Sequence, residues 1–111
     1  MNLKQLQDEV GEWSYDNFGD QSSYRCLLGV VEEVGELCHA HLKLEQKIRV
    51  ASMEDQEDAV ADILIFLADY CSRSDIDLDA VVTRTWAEVR LRDWKKYPET
   101  GRPLVIGVPS P

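Results

Sequence analysis

Residues 27–37 read LLGVVEEVGEL and residues 58–71 read DAVADILIFLADYC. In both stretches apolar side chains return every three or four residues, the repeat that lines one face of an α-helix, and not with the alternation of a strand. Outward from them the pattern continues to Tyr97 without a proline, so nothing before Pro98 removes a helix hydrogen bond. The chain is therefore read as all-α, with four helices.

The first helix is expected from about Asn2 to Asn17, closed by Asn17-Phe18-Gly19 because Asn and Gly tolerate the left-handed cap conformation. Ser22 or Ser23 starts the second, which runs from about Tyr24 to Lys47 with Leu27, Leu28, Val31, Val34, Leu37 and Cys38 as its apolar stripe. After a loop near Arg49–Met53 comes a third helix, about Glu54 to Ser72. Ala59, Val60, Ile63, Leu64, Phe66, Leu67, Tyr70 and Cys71 make it apolar over most of its circumference, so it is expected to be the most buried element. The fourth covers about Leu78 to Lys96 after a cap at Asp75 or Asp77, with Ala80, Val81, Trp86, Val89 and Leu91 as packing residues. Pro98 and Gly101 stop it. Residues 1–97 read as a single domain, since one core serves roughly 100–200 residues. Residues 98–111 read as an extended tail lying on this subunit or on a neighbour.

Composition narrows the function. Acidic residues outnumber basic ones 21 to 12, a net charge of −9 whose field repels duplex phosphate, so no nucleic-acid partner is expected. Hydrophobic residues make up 44% and charged residues 30%, which is globular composition. Cys26, Cys38 and Cys71 cannot all pair and lack the short spacing of a zinc ribbon or redox motif. A reducing, cytoplasmic setting fits. The opening MNLKQLQDEV has no apolar core of a signal peptide, and no run reaches the ~18 apolar residues of a membrane helix.

Chemistry gathers on two helices. Glu33 and Glu36 are three residues apart, Glu32 and Glu36 four apart, and Asp58 and Asp62 four apart, with Asp69 continuing that line. These spacings put the carboxylates on common helix faces, so two acidic edges can face each other. Like charges so placed repel, and burying them beside Leu, Val and Ile costs several kcal/mol each without compensation. Glu36 and Asp62 are both expected in apolar frames. A divalent cation supplies the compensation, and an oxygen-only donor set points to Mg²⁺, with Mn²⁺ as the alternative, more than to zinc.

From about Trp13 to Pro98 the chain resembles the MazG-like nucleotide pyrophosphohydrolases of the all-α NTP pyrophosphatase superfamily, whose signature is an EExxE helix followed by an ExxD helix. Glu32-Glu33-Val34-Gly35-Glu36 matches the first half. The second half departs from it: Ala59, not Glu, lies three residues before Asp62, and the nearest acid on that face is Asp58. The resemblance implies Glu33, Glu36 and Asp62 as metal ligands, Asp58 as the fourth, and Glu32 as general base. It further implies a four-helix bundle assembled as a homodimer or homotetramer, and hydrolysis of a nucleoside triphosphate to the monophosphate and pyrophosphate.

Lys43 and Lys47 follow Glu36 along one helical stripe, with Lys43 about 10 Å beyond it, a separation suited to the far end of a triphosphate. The segment Arg92-Asp93-Trp94-Lys95-Lys96-Tyr97-Pro98 resembles the family's closing motif, with Lys96 as a phosphate contact and Asp93 in place of an Asn. Trp13 and Asn17 occupy the region that closes over the base in that family; the alternative is a packing Trp13 and a capping Asn17. His39 and His41 lack a partner at metal-ligand spacing and read as surface or interface residues. Two other functions stay open: a non-catalytic acidic interaction module, and a pyrophosphatase for a non-nucleoside diphosphate. The first explains the helices but not Glu36 and Asp62 among apolar neighbours.

Overall fold

The structure is a computed structural model and describes residues 1–47 and 53–104. Among them are four α-helices and no strand: α1 Leu3–Phe18, α2 Tyr24–Gln46, α3 Met53–Arg73 and α4 Leu78–Val89. Of the expected loop near Arg49–Met53, residues 49–52 lie outside the described residues, as do residues 105–111 of the expected tail.

Local chemistry sets the ends. The Asn2 side chain accepts from the Gln5 amide at 2.9 Å while the Gln5 side chain accepts from the Asn2 amide at 2.9 Å, a capping box that satisfies two otherwise unpaired N–H groups. Gly19 closes α1 at φ 69, where a Cβ would be strained, and its N–H donates to the Tyr15 carbonyl. Ser23 occupies the N-cap of α2 without a side-chain cap bond. Lys47 turns left-handed at φ 54 and ends that helix.

α4 is shorter than its apolar pattern suggests. It ends at Val89, seven residues before the expected Lys96. The reason is local: the Asp93 carboxylate accepts from the Lys96 amide at 3.0 Å, and the Tyr97 amide donates to the Asp93 carbonyl. Asp side chains that bond backbone three residues ahead favour a new turn over a continuing helix. Asp93 therefore caps a turn where the sequence pattern suggested helix.

The chain forms two compact units, Met1–Leu78 and a second beginning at Asp79. In the first, α2 and α3 run antiparallel: Gly29 packs on the Phe66 ring near one end and the Gln56 amide meets the His41 ring at the other, 3.1 Å apart. Gly29 is buried because a Cβ there would run into the Phe66 ring, so the glycine lets the two helices approach. α1 crosses the C-terminal turns of α3. Val10, Ala68, Cys71 and Leu78 form the core of that crossing, with Leu3, Leu6, Tyr70 and Ile76 packed around it.

A polar knot lies beneath α1. Ser14 is 1% exposed and donates to Asp69 at 2.7 Å. Arg73 donates to Asp69 at 3.0 Å and to Ser14 at 2.8 Å, and reaches the Gly19 and Gln21 carbonyls at 3.1 Å each. One guanidinium thus ties α1, the turn into α2 and α3 together. Cys26 borders the knot. Burial first, then a hydrogen bond to Asp69 and its negative charge, push the thiol up to about 11, which leaves it an unreactive thiol at neutral pH.

Within a single chain α3 is not buried all round. Ala59, Ala68 and Cys71 are buried, but Val60, Leu64 and Ile65 are exposed, as are Leu27, Leu28, Val31 and Val34 on α2. In the second unit, Val81, Val82, Thr85, Trp86 and Val89 line a shallow hollow on α4. Gly101, at φ 75, sits against Arg92 and Trp94, and the Arg92 guanidinium stands 5.9 Å from the Trp94 ring centre.

Candidate functional site

Antiparallel pairing of α2 and α3 brings the two acidic edges into one groove. Its walls carry Glu36, His39 and Lys43 from α2 and Asp55, Asp58 and Asp62 from α3, around a cavity of about 460 Å³. The floor is Ala40 and Ala59, 7% and 4% exposed. Ala59 is the position where the resembling pattern has Glu, and its small side chain leaves the trench open between the walls. Asp58 lines this groove from the next position along α3.

Glu33 sits at the same meeting of charges. Loss of hydration raises its carboxyl pKa above the ordinary glutamate range, and repulsion from Glu36, Asp62 and Glu32 pushes the same way. Its Oε2 is shielded from solvent, and the neighbouring Glu36 carboxyl, placed to share a proton with Glu33, raises the pKa further. The expectation that Glu36 occupies this position is corrected here: Glu36 is exposed in the single chain and Asp62 only partly buried. The shielded carboxyl belongs to Glu33.

Among the described residues no three Cys, His, Asp or Glu side chains are grouped tightly enough, in their present rotamers, to hold a metal ion. The residues that could hold one are Glu33, whose Oε2 is shielded from solvent, and the exposed Glu36 and Asp58, with carboxylate donors of the kind that Mg²⁺ or Mn²⁺ takes. Glu32 is exposed on α2 beside Glu33, one residue away from these donors. Comparison with family models, with curated proteins and with solved structures returns no match.

The remaining expected site residues are scattered. Lys43 lines the groove, but Lys47 leaves the helix in its left-handed cap and is exposed. Lys96 belongs to the second unit, where its ammonium lies 5.5 Å from the Tyr97 ring centre. Trp13 is exposed, meets Phe18 edge to face at 5.7 Å, and lines a separate hollow with Glu9, Val10 and Ile65. Asn17 lies within α1 and donates its side-chain amide to the Trp13 carbonyl four residues back at 2.8 Å, while Gly19 caps the helix. Asp69 does not extend the acidic edge, because Ser14 and Arg73 occupy both its oxygens.

Two groove residues escaped the sequence reading. His39 and Asp55 both line it, and the signal was available: His39 is three residues beyond Glu36 and four before Lys43, on the same helix face. His41, by contrast, is engaged elsewhere, with Nε2 on Glu45 and Nδ1 on Gln56, each at 3.1 Å.

Proposed function

We propose that the chain is a MazG-like, Mg²⁺-dependent nucleoside triphosphate pyrophosphohydrolase. The observation that carries this reading is the solvent-shielded Glu33 carboxyl, its pKa raised by Glu36 and Asp62, which themselves wall a groove that Asp58 and Lys43 also line. Glu33, Glu36, Asp62 and Asp58 would hold the metal, and Mg²⁺ held there would offset phosphate charge and lower the pKa of a coordinated water. Glu32 takes the proton from the attacking water as its oxygen bonds to the α-phosphorus. The bond from that phosphorus to the α,β-bridging oxygen breaks, and pyrophosphate leaves with the electron pair. Lys43 holds the leaving phosphates and offsets the charge that builds on them.

A panel of nucleoside triphosphates with Mg²⁺ and Mn²⁺, resolving monophosphate plus pyrophosphate from diphosphate plus phosphate, tests the reaction. Monophosphate and pyrophosphate are expected from at least one nucleotide. Absence of any metal-dependent turnover would leave the interaction-module reading in its place.

Glu33 gives a test of opposite signs. In metal-free protein its raised pKa means the folded state keeps the proton longer than the unfolded one. Stability then falls as pH rises from the ordinary glutamate range through that raised pKa. Glu33→Gln is expected to raise the melting temperature in EDTA at neutral pH, and to remove the rise that Mg²⁺ gives the wild-type protein by mass action. Melting curves with EDTA and with Mg²⁺ measure both.

The same reading includes assembly. Leu27, Val31 and Val34 on α2 and Val60 and Leu64 on α3 are exposed, and monomers rarely leave contiguous apolar patches larger than a few hundred Å². Pairing across a two-fold axis would cover them. Light scattering at micromolar concentration is expected to give two or four times 12.7 kDa; a fully active species of one times that mass would overturn the assembly.

A further inference from the structure

We propose that His39 is a second phosphate contact, so that the groove receives a triphosphate chain lengthwise, its α-phosphate at Glu36 and Asp62 and its terminal phosphate at Lys43. This rests on the pyrophosphohydrolase reading and adds to it a residue and a direction.

Glu36, His39 and Lys43 line the groove from one helix face, in that order along α2. At the helical rise, His39 stands about 4.5 Å beyond Glu36 and Lys43 about 10 Å beyond it. A carboxylate, an imidazole and an ammonium are thus strung along a single axis, spaced more widely than linked phosphorus atoms are, a difference that the length of the Lys43 side chain can make up. The opposite wall carries Asp62, Asp58 and Asp55 in the antiparallel order, so every phosphate entering the groove needs a donor or a cation beside it. His39 supplies a donor at the middle step. A neutral imidazole keeps one N–H and a protonated one has two, so the contact stands in either state.

Space favours the same arrangement. Ala40 and Ala59 form the floor, and the trench left by Ala59 lies within reach of the His39 wall. A Glu at position 59 would fill part of that trench.

Calorimetric titration with inorganic tripolyphosphate and with pyrophosphate, each in Mg²⁺, tests the proposal without depending on a base or on turnover. His39→Ala is expected to weaken both ligands by about tenfold, the effect of one hydrogen bond to a charged group. Lys43→Met is expected to weaken both probes, because pyrophosphate takes the places of the β- and γ-phosphates that Lys43 holds. His39→Gln keeps an N–H donor and is expected to recover most of the affinity. His39 is exposed, so circular dichroism is expected to be unchanged in each variant. Wild-type affinity in His39→Ala overturns the proposal, as does a loss of Mg²⁺ binding measured without phosphate, which would make His39 a metal ligand. If wild-type protein binds neither probe and hydrolyses no nucleotide, the broader reading fails as well.

Discussion

Replacing Glu36 with Gln, or Asp62 with Asn, is expected to lower pyrophosphate release by at least about a hundredfold, and toward a thousandfold, with the helical circular dichroism unchanged. Both side chains line the groove between α2 and α3, and both raise the Glu33 pKa by their charge. Each amide keeps the shape of the carboxylate but removes half of what a divalent cation needs from it, the negative charge. Glu36 is exposed, so its neutralisation touches no packing. Stopped assays that quantify pyrophosphate, alongside melting with and without Mg²⁺, separate a lost site from a lost fold. Full turnover in both variants would remove the carboxylate groove from the mechanism.

How much of this was legible in the sequence depends on whether periodicity or side-chain environment decides the matter. The four helices follow from three- and four-residue spacing, and three of their boundaries fall within a residue of the expected Asn2, Asn17 and Lys47. α4 was overextended because Asp93 bonds the Lys96 amide, a local competition that apolar spacing does not register. Spacing also placed Glu36, Asp58 and Asp62 correctly on facing edges. It could not tell which carboxylate loses its water. Glu33 and Glu36 both sit among Val and Leu in sequence, yet it is the Glu33 oxygen that the fold shields, while Glu36 stays exposed. His39 reads from sequence as lacking a partner at metal-ligand spacing, although its neighbours at three and four residues already place it on the groove face.

Asp69 is the clearest case where an acidic residue at the right helical spacing does something else. Asp69→Ala is expected to destabilise the fold by about 3–5 kcal/mol, because it leaves the Arg73 guanidinium buried without its carboxylate. The side chains of Arg73 and Asp69 are 11% and 14% exposed, so water cannot replace the lost partner as it would at the surface. Ser14 loses its acceptor in the same step, at the point where α1 crosses α3. For a domain of this size the melting temperature is expected to drop by at least about 12 °C. Asp58→Ala is the counterpart: Asp58 is exposed, so the change is expected to leave melting in EDTA within about 0.5 kcal/mol of wild type while weakening Mg²⁺ binding. Thermal melts of the two variants in EDTA and in Mg²⁺ distinguish an acid that holds the fold from one that holds the cation. If Asp69→Ala melts like wild type and loses the Mg²⁺ response, Asp69 belongs to the acidic edge and the knot under α1 is held by Arg73, Ser14 and the backbone carbonyls alone.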